Sequence, residues 1–149
     1  MLQSLLVIDD SEMDQYIVQR ALKKWGFGGP LFQERDGLGG INFLKSHREN
    51  PTAWGDGFPP TVILLDINMP RMNGFEFLEE FQELLNTHEG LHSSVIMMFS
   101  SSELPADKER ALKYPFVHGY ISKPLTKEDI QSIAESLTSY KPQAVQTSG

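Results

Sequence analysis

Five polar side chains follow apolar runs at widely separated points of this chain. Asp9 and Asp10 come after "SLLVI", Asp66 after "TVILL" and Ser100 after "VIMMF", while Lys123 stands two residues beyond "FVHGYI". If the runs are strands that end on one edge, the three carboxylates form a cluster. Gathered acids repel one another, and their pKa values rise unless a cation compensates. Hard oxygen ligands suit Mg²⁺, which keeps several waters and readily takes a phosphate oxygen. Zinc fits poorly, because there is no cysteine and His47, His88, His92 and His118 are scattered. A carboxylate can attack phosphorus and become an aspartyl phosphate. Asp66 ends a wholly apolar run and is the natural nucleophile, with Asp9 and Asp10 holding the metal. Lys123 would neutralise charge on the moving phosphoryl group, and Ser100 would donate a hydrogen bond to it. Taken singly, each has a plainer use. An acid pair caps a helix, the serine belongs to an "SSS" loop, and a lysine before a proline lies at the surface.

The elements that must position these groups follow from periodicity. "SLLVI", "TVILL" and "VIMMF" are unbroken apolar runs, as in strands covered on both faces. "GGPLFQE" and "FVHGYI" read as further short strands. In "SEMDQYIVQRALKKWG" the residues Met13, Ile17, Ala21 and Trp25 recur every four positions, and Val18 and Leu22 widen the stripe. Ser11 caps that helix, with Asp14 as its partner three residues on and Gly26 as terminator. "DGLGGINFLKSHREN" is a helix with Ile41, Phe43 and Leu44 inward, its start weakened by glycines. "GFEFLEEFQELLN" buries Phe77, Leu78, Phe81, Leu84 and Leu85. Another helix starts near Pro105. The last is capped by Thr126 with Asp129, and turns Ile130, Ile133, Ala134 and Leu137 inward. "NPTAWGDGFPP" and "THEGLHSS" are loops, the first ordered by Trp54 and Phe58 or simply exposed. Five strands alternating with five helices imply a parallel sheet between helices, with ligands beyond the strand C-terminal ends.

The chain has 149 residues, enough for one domain with a sizeable core, placed here at 1–140 with a polar tail at 141–149. The absence of cysteine excludes disulfides and thiolate chemistry and accords with a reducing, cytoplasmic setting. A formal charge of −7 disfavours nucleic acid as a partner but attracts cations. No apolar stretch is long enough to span a membrane, and the N-terminus lacks the features of a signal peptide. No phosphate-binding glycine loop of the nucleotide-binding types is present.

With "VIDDSE", "LLDINMPRMNGFEFL", "FSSS" and "GYISKP" in this order, the chain resembles the receiver domain of two-component response regulators over about Leu5 to Leu137. The resemblance implies a doubly wound (βα)5 flavodoxin-like α/β fold with sheet order 2-1-3-4-5. It makes Asp66 the phosphoacceptor, and Asp9 and Asp10 the acidic pair for Mg²⁺. Asn68 would lend its backbone carbonyl to the metal. Met69 and Pro70 match the turn after the acceptor, and Gly74 the glycine that opens the third helix. Lys123 matches the phosphate-sensing lysine, with Pro124 expected in cis. Ser100 stands where threonine is more usual as the switch hydroxyl, and Tyr120 is the switch aromatic. From the residues alone, Tyr120 is equally an ordinary half-buried tyrosine. The implied partners are a histidine kinase or histidine phosphotransfer protein, and a downstream protein bound through the fourth-helix, fifth-strand and fifth-helix face. The segments 46–60 and 86–94 are longer than the family pattern.

With little sequence left beyond the last helix, output is expected through a protein partner, or through a kinase relay in which the domain is a middle carrier or phosphate sink, rather than through an attached DNA-binding domain. Such a protein is no conventional enzyme, though it assists its own phosphorylation and dephosphorylation. Three alternatives stand beside this reading. One is a phosphorylation-independent adaptor. Another is a metal-dependent phosphatase similar to the haloacid dehalogenase class, although Ser11 occupies the place of that class's second acid. The third is a regulator that forms a homodimer through the fourth-helix face.

Overall fold

The structure is a computed structural model that describes residues 2–49 and 60–139. In chain order the elements are β1 (Leu5–Ile8), α1 (Glu12–Trp25), β2 (Leu31–Glu34), α2 (Gly37–Glu49), β3 (Val62–Leu65) and α3 (Gly74–Leu85), then β4 (Val95–Ser100), α4 (Pro105–Leu112), β5 (Val117–Ser122) and α5 (Lys127–Ser139). The strands form one parallel sheet in the order β2-β1-β3-β4-β5. This is the doubly wound order the sequence implied. Trp54, Phe58 and the tail lie outside the described residues.

Alternation along each central strand divides the core in two. Leu6 and Ile8 of β1, Ile63 and Leu65 of β3, and Ile96 and Met98 of β4 pack with α2 and α3 through Ile41, Leu44, Phe77 and Phe81. Leu5, Val7, Val62 and Leu64 face the other way, against Val18 and Leu22 of α1 and Ile130 and Ile133 of α5. Every residue of β1 and β3 is buried, which is why neither run alternates in polarity.

A glycine of "DGLGG" has a packing use. A Cβ on Gly40 would stand 2.5 Å from Ile8 Cδ1, so glycine lets the helix lie against β1. Asp36 caps the same helix through Gly39 N–H at 2.7 Å.

Two expectations need correction. Met13 is not on the buried stripe of α1; it is 68% exposed. The first turn of α1 stands at the strand-end rim, where Gln15 Nε2 donates to the carbonyls of Glu34 at 3.0 Å and Asp9 at 3.1 Å. Core packing of the helix begins at Val18. The segment "THEGLHSS" is not wholly a polar loop: a 3-10 turn (Glu89–Ser93) buries Leu91.

Candidate phosphoryl and metal site

Parallel pairing carries the strand-end residues to one rim. Ile8 pairs with Leu65, so the next residues, Asp9 and Asp66, stand side by side, and Asp66 N–H donates to Ile8 O at 3.0 Å. Ser100 pairs with Ser122, and Lys123 N–H donates to Ser100 O at 3.0 Å. Lys123 thereby leaves the edge beside β4, and its side chain reaches back across the rim. Its ammonium lies 2.7 Å from Asp9 Oδ2, 2.8 Å from Asp14 Oδ2 and 3.5 Å from Asp66 Oδ2. The Lys123–Pro124 peptide is cis.

Each buried carboxylate uses one oxygen to fix its orientation. Asp9 Oδ1 accepts from Ser11 N–H at 2.9 Å, and Asp66 Oδ1 from Ile67 N–H at 2.8 Å. The second oxygen of each is turned toward the ammonium. Although Asp9 Oδ2 is 2.7 Å from Nζ, it is buried without an aligned hydrogen bond, and the contact is an ion pair. One oxygen each of Asp9, Asp10 and Asp66 lies within 4.8 Å of the others. Asp9 and Asp66 are buried; Asp10 is exposed.

Burial pushes the Asp66 carboxyl up to about 6, with the Asp9 charge adding to the rise and Lys123 opposing it. Burial likewise raises Asp9, against its contact with Lys123. Burial alone would lower Lys123, but its hydrogen bond to Asp14, its close contact with Asp9 and the charge of Asp66 hold it well above the ordinary lysine range. The cluster therefore holds more negative charge than one ammonium settles. A buried carboxylate oxygen that is ion-paired but has no hydrogen bond, within an all-oxygen donor set, fits a hard divalent cation.

The turn after Asp66 is held closely. Asn68 and Pro70 are exposed and Met69 is buried. Gly74 N–H donates to Ile67 O at 2.8 Å, and a Cβ at Gly74 would collide with the Asp66 carbonyl. Arg71 takes φ 64° and pairs with the buried Asp36 at 2.7 Å, while Gly37 N–H donates to Met72 O at 3.0 Å.

At the β4 edge, Ser100 is buried and its hydroxyl accepts from Ser102 N–H at 3.1 Å. Tyr120 is half-buried and donates to Ser102 O at 2.9 Å. Both groups thus meet on Ser102, whose own hydroxyl donates to Asp107 at 2.8 Å.

Sequence reasoning missed Ser102 and Asp14. Ser102 sits within "SSS" and shows no pattern of its own. Asp14 carried a signal, an acid one helical turn beyond Asp10, but it had been assigned to the helix cap.

The family model for the response regulator receiver domain matches residues 5–135. The chain belongs to this family. A receiver domain is a component of two-component signalling, and receiver domains typically bind a divalent metal. The probable methanogenesis regulatory protein FilR2 of Methanothrix harundinacea is 26% identical over 136 residues, covering 91% of this chain and 81% of that protein. A two-component response regulator from Cytophaga hutchinsonii superposes with a TM-score of 0.80 at 25% identity, covering 93% of this chain and 98% of that one. The Mn(2+)-bound form of response regulator Rcp1 superposes at 0.65 and 24% identity, covering 95% of each chain. Among the described residues, no helix of this receiver domain is long and apolar enough to cross a membrane.

Proposed function

We propose that this receiver domain is a cytoplasmic phosphorylation-dependent switch with Asp66 as its phosphoacceptor. One observation carries the reading: a buried carboxylate, pushed up to about 6, turns its unbonded oxygen toward a lysine beside two further acids. Asp66 Oδ2 attacks the phosphorus of a phosphohistidine on a kinase or phosphotransfer protein. The new P–O bond forms as the P–N bond breaks, and the imidazole nitrogen keeps the electron pair, so that a ring already protonated on its other nitrogen leaves as neutral histidine. Asp9, Asp10, Asp66 and the Asn68 carbonyl would hold Mg²⁺, which supplies positive charge opposite the transferring group. Lys123 exchanges its carboxylate partners for a phosphoryl oxygen.

Ser100 then gives up Ser102 N–H and donates a hydrogen bond from its hydroxyl to the phosphoryl group. The segment shared with Tyr120 shifts, and the α4–β5–α5 face changes partner. Leu104 and Leu112 are exposed apolar side chains on or beside α4, 64% and 43% exposed, and support that face as the output surface.

The test is incubation with Mg²⁺ and a small phosphodonor such as acetyl phosphate, followed by intact mass. The expected result is one phosphoryl group, labile to strong acid, base and hydroxylamine and absent from Asp66→Asn. An unmodified wild-type chain would overturn the reading.

A further inference from the structure

Lys123 has one more partner than chemistry at Asp66 requires. Asp14 stands on the first turn of α1 and follows no strand. Its carboxylate is nevertheless 2.8 Å from Nζ in an aligned hydrogen bond, whereas Asp66 is 3.5 Å away. Helix capping does not use that carboxylate. Ser11 Oγ accepts from Asp14 N–H at 3.1 Å, but Ser11 N–H donates to Asp9 Oδ1, leaving the Asp14 side chain to the lysine.

We propose that Asp14 is a positioning residue of this site, holding the Lys123 ammonium on the α1 side so that Asp9 Oδ2 can pass to a divalent cation. The proposal rests on the metal-dependent reading above. Asp9 Oδ2 is the buried oxygen without an aligned hydrogen bond, and the ammonium stands 2.7 Å from it. Lysine and a divalent cation compete for that one atom, and their like charges repel at such range. Without Asp14, the remaining ion-pair partner for an ammonium leaving Asp9 among the described residues is Asp66, which belongs to the same acidic cluster, so the competition would continue. Asp14 lies outside the three-acid cluster. It gives the ammonium an anchor that survives entry of the cation. It also keeps Lys123 near Asp66, ready for a phosphoryl oxygen.

The test is Mg²⁺ titration by calorimetry of the whole chain in four forms: unaltered, Asp14→Asn, Lys123→Met and the double variant. Asparagine keeps the shape and leaves the Ser11 cap intact, and melting of each form in chelator reports its folding. With Lys123 present, Asp14→Asn is expected to weaken Mg²⁺ binding roughly tenfold. With methionine at 123 the loss should be roughly threefold or less, the effect of removing one nearby negative charge. Asp14→Glu keeps the charge and should stay within about threefold of the unaltered chain. Equal weakening in both backgrounds, or no weakening, would overturn the proposal while leaving the metal site standing. Failure of the unaltered chain to bind Mg²⁺ would remove the metal reading, and this proposal with it.

Discussion

Asp66 is destabilised where it stands. Burial raises it from 3.8 to about 6 in the folded chain, so folding binds its proton more tightly. Its contribution to stability is whole below pH 3.8 and is lost as pH climbs through 6. Asp66→Asn should therefore stabilise the metal-free protein at pH 7.5 by about 2 kcal/mol, allowing for the neighbouring lysine. The gain should shrink as pH falls through 6 and vanish only below 3.8, as denaturant titrations in chelator at pH 7.5 and below 3.8 would show. A uniform gain at both would mean that charge at Asp66 is not what strains the site. Asp36 behaves oppositely. The Arg71 guanidinium, with help from Gly39 N–H and against burial, holds its carboxyl below the ordinary 3.8. That stability is present above pH 3.8 and lost as pH falls through the lower folded value. Asp36→Asn should lower the urea midpoint at pH 7, and the deficit should fade as pH drops below 3.8.

Two connected elements have opposite tasks. In the proposed metal site, the β3–α3 turn is the part that stays fixed, because it carries Asn68, two residues beyond Asp66. The Arg71–Asp36 pair, the Gly37–Met72 hydrogen bond and the Asn73–Glu76 capping box all restrain it. In the proposed switch, the β4–α4 connection is the part that moves. Its link between Ser100 and Tyr120 is a pair of single hydrogen bonds through Ser102, at 3.1 and 2.9 Å. Single neutral hydrogen bonds contribute about 1 kcal/mol each, so a new phosphoryl dianion can redirect them. Amide exchange across 101–122 should change when a phosphate mimic and Mg²⁺ are added. Ser100→Ala should suppress that change without abolishing phosphorylation. An unchanged response in the variant would remove Ser100 from the switch.

Across the whole molecule, five parallel strands bring groups distant in sequence to one rim, and much of this was legible beforehand. The unbroken apolar runs ending at Asp9 and Asp66 gave strands buried on both faces, and pairing of Ile8 with Leu65 set those acids side by side. Periodicity could not tell where the sheet ends beneath α1, so Met13 was wrongly placed inward. Composition could not find Leu91 within a polar segment. Asp14 was hidden for a different reason: its spacing from Ser11 matches a capping pair, while its partner lies 109 residues away. The rim also concentrates negative charge in a chain of net charge −7, so a cation bound there should stabilise the entire fold. By linkage, Mg²⁺ at a hundred times its dissociation constant adds about 2.7 kcal/mol. The melting temperature should climb with Mg²⁺ concentration, and Asp9→Asn should flatten that climb.

The most direct measurement is chemical mapping of the acceptor. After treatment with Mg²⁺ and a phosphodonor, borohydride reduces an aspartyl phosphate to homoserine, which peptide mass locates. The account predicts homoserine at position 66 alone, dependent on Mg²⁺. Homoserine at another aspartate, or none in a phosphorylated chain, would contradict it.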